Sequence, residues 1–245
     1  MRLPLTSAVS VTEIARARAW LVPLVAATVV MAFAGLAEAH GVSRKDATFV
    51  ESIDGAAIGP FLYLGAKHMV TGYDHLLFLV GVLFFLYRLK DVFLYVSLFT
   101  IGHSVTLLAG VLGGIYANPY LIDAVIGLSV VYKGFENIGG FTYFLGRQPD
   151  TRAAVLIFGL FHGFGLATKL QELALSREGL VTNIVSFNVG VEIGQALALT
   201  FVLIGLTWWR TRSGYLRHAF LTNALLMTGG FLLVGYQLSG YALAE

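Results

Sequence analysis

The stretch GYDHLLFLVGVLFFLY, Gly72 to Tyr87, decides how the rest of the chain is read. Asp74 and His75 stand side by side at its front, and the residues from Leu76 on are apolar for about three turns of helix. A run of that kind belongs in a membrane or a deep core. An ionisable group at the middle of a bilayer costs on the order of 3 kcal/mol, so one that is kept there points to function. Gly72 marks a turn or break at the entrance. Asp74 and His75 are expected to face inward, while Leu76 to Leu86 meet lipid and neighbouring helices.

Composition places the whole chain in a membrane. Of 245 residues 57% are hydrophobic and only 12% charged, and the mean hydropathy is +0.79. Soluble domains carry about twice that share of charge. The net charge of +2 is small and the basic residues are scattered, so nothing points to a nucleic-acid partner and none is expected. Cysteine is absent, so disulfides, thiolate sites and iron–sulfur clusters are excluded, and any metal must be held by nitrogen and oxygen.

Residues 1–39 read as a signal peptide. Arg16 and Arg18 precede an apolar run from Trp20 to Gly35, and Ala37 and Ala39 form an A-x-A cleavage pattern. Cleavage leaves His40 as the first residue. His40 is read mainly as a processing site, although its free amine and ring could then chelate a metal. Uncleaved, the segment becomes one more helix.

Residues 40–58 form a short periplasmic segment. Residues 59–240 form an all-α, polytopic transmembrane bundle of about six spans, near 60–87, 92–112, 119–145, 153–170, 182–208 and 216–238. The loops with Arg88 and Lys90, with Arg147 and Arg152, and with Arg210, Arg212 and Arg217 are the basic ones. They face the cytoplasm by the positive-inside rule, which puts both mature ends outside. Glycines within the spans let helices approach closely.

Polar residues recur at one depth. The first span has His68, Asp74 and His75; the second His103, beside Ser104 and Thr106; the third Lys133, Glu136 and Asn137; the fourth His162. The fifth has Asn188, Glu192 and Gln195 at i, i+4 and i+7, one helix face. His68 and His75, seven apart, also share a face. Groups from five spans imply one shared polar centre. Imidazole with carboxylate suits divalent transition metals such as Ni²⁺, Zn²⁺, Cu²⁺, Co²⁺ or Mn²⁺. His68, Asp74, His75, His103, His162 and Glu192 are the candidate ligands. Glu136, Asn137, Asn188 and Gln195 are candidates to orient them. Blander readings stand beside these. His162 alone reads as a helix linker, Lys133–Glu136 as an internal ion pair, Asp123 as interfacial and His218 as surface.

The motifs GYDHLLFLVGVLFFL, FTIGHSVTLLAG, GFENIGG, GLFHGFGLA and SFNVGVEIGQ resemble, in order and spacing, those of the HupE/UreJ family, second type. The resemblance runs from about Ala66 to the end of the fifth span. It implies a small bacterial inner-membrane protein handling a transition metal, nickel or a neighbour. His68, Asp74 and His75 match the family's H-x5-D-H arrangement, and His103 and His162 match its later histidine motifs.

The leading expectation is therefore a metal permease, with the metal ion and the lipid bilayer as partners. A homo-oligomer, or partners that mature metalloenzymes, would be compatible with it. No Walker motif is present, so ATP is not the direct energy source. The main rival is an intramembrane zinc-dependent hydrolase that uses the same histidines, with Ser104 beside His103. A haem protein with paired axial histidines and a purely structural subunit are weaker rivals, since neither needs the buried acids.

Overall fold

A computed structural model of the protein describes residues 44–173 and 175–244. The signal segment 1–39 and His40 lie outside the described residues. Nine helices and no strand occur among those described: α1 (Arg44–Glu51), α2 (Ile58–Thr71), α3 (Tyr73–Leu83), α4 (Leu89–Gly113), α5 (Pro119–Asn137), α6 (Gly140–Leu145), α7 (Thr151–Gln171), α8 (Leu180–Arg210) and α9 (Tyr215–Ala244). Four of them, α4, α7, α8 and α9, are long and apolar enough to cross a membrane. Apolar side chains on their outer faces, among them Phe93, Ile101, Phe201, Ile204 and Phe220, are exposed. Such faces suit lipid contact.

The other two expected spans look different, for local reasons. The first is divided at Gly72, which is extended (φ −72°, ψ 100°), into α2 and α3. The third ends at Asn137, and the short helix α6 follows separately. Helix α5 carries three Asp, Glu or Lys residues in 19: Asp123, Lys133 and Glu136. Its start is well marked. Asn118 caps it by accepting from the backbone N–H groups of Tyr120 (3.0 Å) and Leu121 (3.3 Å), and Pro119 fills the first position, where no N–H is needed. Asp150 caps α7 through the N–H of Arg152 at 2.8 Å. The segment before α2 is tied down rather than loose, because Val50 is buried among Phe61, Met69, Leu107 and Phe187.

Helices pair through small residues. A methyl group at Gly190 would meet the Leu62 carbonyl and one at Gly194 the Ala66 carbonyl, so α2 and α8 run parallel in close contact. Gly102 meets Leu156 and Gly110 meets Ala167, which makes α4 and α7 parallel as well. Gly127 meets Val234 and Gly134 meets Met227, so α5 and α9 are antiparallel.

The three arginine-bearing turns thereby gather at one end of the bundle. There Arg210 donates to the carbonyls of Leu83 and Phe84, Tyr215 donates to Phe84, and Thr151 at the start of α7 donates to Glu136 at the end of α5. At the opposite end Asn183 joins the start of α8 to Gly55 and Ala57, and Gln171 donates to the Ile115 carbonyl.

Candidate metal centre

The break at Gly72 shapes the site. A side chain there would crowd His75 Nδ1 (2.9 Å), the His68 carbonyl (3.0 Å) and Asp74 Oδ1 (3.2 Å). Glycine lets the chain turn here without displacing these groups. Asp74 then falls in the first turn of α3, where an acid is favoured by the positive end of the helix dipole. Its Oδ1 accepts from the His75 backbone N–H (2.9 Å) and lies 2.8 Å from His75 Nδ1. On α7, His162 Nδ1 is 2.7 Å from the Phe158 carbonyl. A carbonyl can only accept, so this Nδ1 carries the proton. In the neutral ring the lone pair then sits on Nε2.

Three of these Nε2 atoms, on His75, His103 and His162, are buried with no hydrogen-bond partner. Buried polar atoms are almost always paired, and an unpaired one costs about 1–3 kcal/mol. The three rings nevertheless stand together. His75 is the hub, with ring centroids 5.0 Å from His162, 5.2 Å from His68 and 6.4 Å from His103. Two imidazoles on one tetrahedral ion would have centroids ~5 Å apart, given metal–nitrogen distances of about 2.0–2.1 Å. The His75–His162 and His75–His68 spacings are close to that and the His75–His103 spacing is wider; among the described residues no group of three or more His, Cys, Asp or Glu that could hold a metal ion is found.

The helices hold the rings by backbone contact. Gly163 lies against the His103 carbonyl and Thr106 Oγ1, where any side chain would overlap them. Thr106 in turn donates to the Leu160 carbonyl on α7 at 2.7 Å. His103 and His162 are thus fixed by the α4–α7 seam. His68 packs on Phe187 of α8 at 6.2 Å. Below the cluster, Phe99 and Phe78 lie 4.9 and 5.5 Å from His162 and exclude water from that side.

A pocket opens beside His75. His68, Asp74, His75 and His162 line it together with Asp123 and Lys169. Those last two are what sequence reasoning missed. Asp123, read as interfacial, lies near the start of α5, where it is buried and paired with Lys169, Nζ to Oδ2 2.8 Å. The signal was present in the spacing, since Lys169 stands seven residues after His162 on the same face of α7.

Glu192 is the expected ligand that the structure does not bring in. It is exposed, whereas Asn188 and Gln195 on the same helix are buried. Four residues turn a helix by 400°, so Glu192 lies roughly 40° further round than Asn188. Gly190 and Gly194, which press α8 onto α2, lie about 160° round the helix from Glu192, so it stands on the side of α8 away from that contact. The four residues expected to orient the imidazoles have other partners. Asn188 donates to Ser104 Oγ (2.9 Å) and Gln195 accepts from Thr100 (2.9 Å). Glu136 is bound by Lys133 (2.5 Å) and Thr151, and Asn137 donates to Gly81 and Asn223, both at 2.8 Å. His218 is exposed, as a surface residue should be.

Residues 44–245 match the second HupE/UreJ family model, described as HupE / UreJ protein. The chain belongs to the HupE/UreJ family. The match takes in all nine described helices, and so extends beyond the five motifs at both ends. Comparison with curated proteins and with solved structures gave no match. In this HupE/UreJ protein the histidines of the family-like motifs are the ones that meet in space.

Proposed function

We propose that this HupE/UreJ protein binds a divalent transition-metal cation, nickel or a neighbour, and passes it across the bacterial inner membrane. One observation carries the reading: three imidazole Nε2 atoms, on His75, His103 and His162, are buried without partners in one cluster of rings, and His75 and His162 line the pocket beside it. Leaving three such atoms unpaired is costly, and a cation is the ligand class that would accept three neutral imidazole lone pairs at once. Asp74 supplies charge and holds the His75 ring, the role that a carboxylate behind a metal-binding imidazole plays.

In this reading α2 with α3 forms the first of six spans and α5 the third. The end bearing Arg88, Arg147, Arg152 and Arg210 faces the cytoplasm. Residues 1–39 direct export, and both mature ends are periplasmic. The cation enters beside Asp123 and Lys169, sheds water, and is taken by His68, Asp74 and His75. His162 and His103 receive it next. Further passage runs into an apolar pocket lined by His75, Phe78, Val82, Tyr95, Phe99 and Val155. Dehydrated charge is unstable there, so the aromatic rings must part for release. That step makes the protein a gated carrier rather than an open pore.

The test is cation binding to the purified protein, with uptake by cells measured in parallel. His75→Ala should lose both while remaining inserted in the membrane. Binding and uptake that survive this change intact would refute the proposal.

A further inference from the structure

Asp123 and Lys169 form an ion pair at the mouth of the histidine pocket, and the proposal here rests on the metal-transport reading above. We infer that Lys169 is a tethered stand-in for the incoming cation: its ammonium occupies Asp123 until the cation displaces it. The geometry supports this in four ways. Nζ reaches both carboxylate oxygens, at 3.1 Å and 2.8 Å, so the ammonium engages each of them. The Lys169 side chain keeps 17% of its surface exposed against 8% for Asp123, which gives the ammonium a way out to water. Lys169 lies in the last turn of α7, at the end of the bundle away from the arginines, and its long stem can swing there. Gln237 of α9 also points at Asp123, Nε2 to Oδ2 3.4 Å, and stays behind to hold the carboxylate when the lysine leaves.

Charge counting gives the device a direction. With neutral histidines, Asp74, Asp123 and Lys169 leave the empty pocket one unit negative. A divalent cation arriving beside a lysine still in place would make it one unit positive. A cation arriving as the lysine swings out makes it neutral. In a partly buried pocket, where charge is weakly screened, the last state is the most favourable. The lysine therefore keeps Asp123 from standing bare when the pocket is empty, and yields only to a cation of higher charge. A monovalent ion that displaced the lysine would leave the pocket one unit negative, as before, and would gain little by doing so.

The test uses the full chain in detergent, titrated with Co²⁺ alone and followed by calorimetry and by the cobalt absorption bands. Binding by wild type that is lost in His75→Ala establishes the site independently of the ion pair. Lys169→Met should then bind Co²⁺ about tenfold more tightly, about 1.4 kcal/mol, because the built-in competitor is gone. Lys169→Arg, which keeps the charge, should not tighten binding. Asp123→Asn, which strands the ammonium in the mouth, should weaken it by about tenfold. Adding Lys169→Met to Asp123→Asn should tighten it again, and this comparison serves if the single lysine variant does not fold. An ion pair that merely joins α5 to α7 predicts unchanged or weaker binding in Lys169→Met. That result, with wild-type binding intact, overturns the inference and leaves the metal site standing. Failure of wild type to bind overturns both.

Discussion

Two polar clusters are buried in this bundle, and they are built in opposite ways. At the arginine end, Lys133, Glu136 and Thr151 satisfy one another, and Asn137 joins Gly81 on α3 to Asn223 on α9, which itself donates to the Ala219 carbonyl. Every one of these groups meets a protein partner. In the histidine cluster the Nδ1 atoms of His75 and His162 are bonded, and the Nε2 atoms of His75, His103 and His162 are not. Both clusters are equally unexpected in an apolar chain, so polarity alone does not separate structure from function. Satisfaction does. A closed network stabilises its own helices, while an open one waits for a ligand.

Breaking the closed cluster should have the largest effect on folding. Lys133→Met strands the Glu136 carboxylate in the interior and should cost about 3–5 kcal/mol, measured by denaturant unfolding in detergent. The double change Lys133→Met with Glu136→Gln should recover much of that. His75→Ala should behave differently. It removes an unsatisfied nitrogen but leaves a small cavity and takes the ring Nδ1 from Asp74, whose Oδ1 keeps the backbone N–H of residue 75; these effects offset in part, and stability should fall by about 1–3 kcal/mol, less than in Lys133→Met. Cation affinity in the same variant should fall more than about 100-fold, since a ligand is lost outright. If His75→Ala unfolds the protein as Lys133→Met does, the distinction between the clusters fails.

Asp74→Asn sharpens the contrast within the open cluster. The ring of His75 would remain, less firmly held and without the neighbouring charge. Affinity should drop about 10–100-fold, read by calorimetry. The smallest effect is expected at Glu192. Exposed on the outer side of α8, it should tolerate Glu192→Gln with affinity unchanged within about twofold and stability within about 0.5 kcal/mol. A loss as large as that of Asp74→Asn would bring Glu192 back among the ligands.

The sequence by itself determined that this is an apolar, all-helical membrane protein of the HupE/UreJ family, and which histidines belong to its motifs. Those features depend on composition and on residue order along a helix, and both are local. It also marked Gly72 as the break in the first apolar segment, since a glycine before an acid and a histidine is a local signal too. Only the tertiary structure decided which polar residues meet. The spacing of Asn188, Glu192 and Gln195 looked like one inward face, but contact with α2 through Gly190 and Gly194 turned Glu192 outward. Asp123 stood near the end of its span with no visible partner until α7 brought Lys169 against it. In a helix of 3.6 residues per turn, a rotation of a few tens of degrees moves a side chain from core to surface, and only a neighbouring helix fixes that rotation.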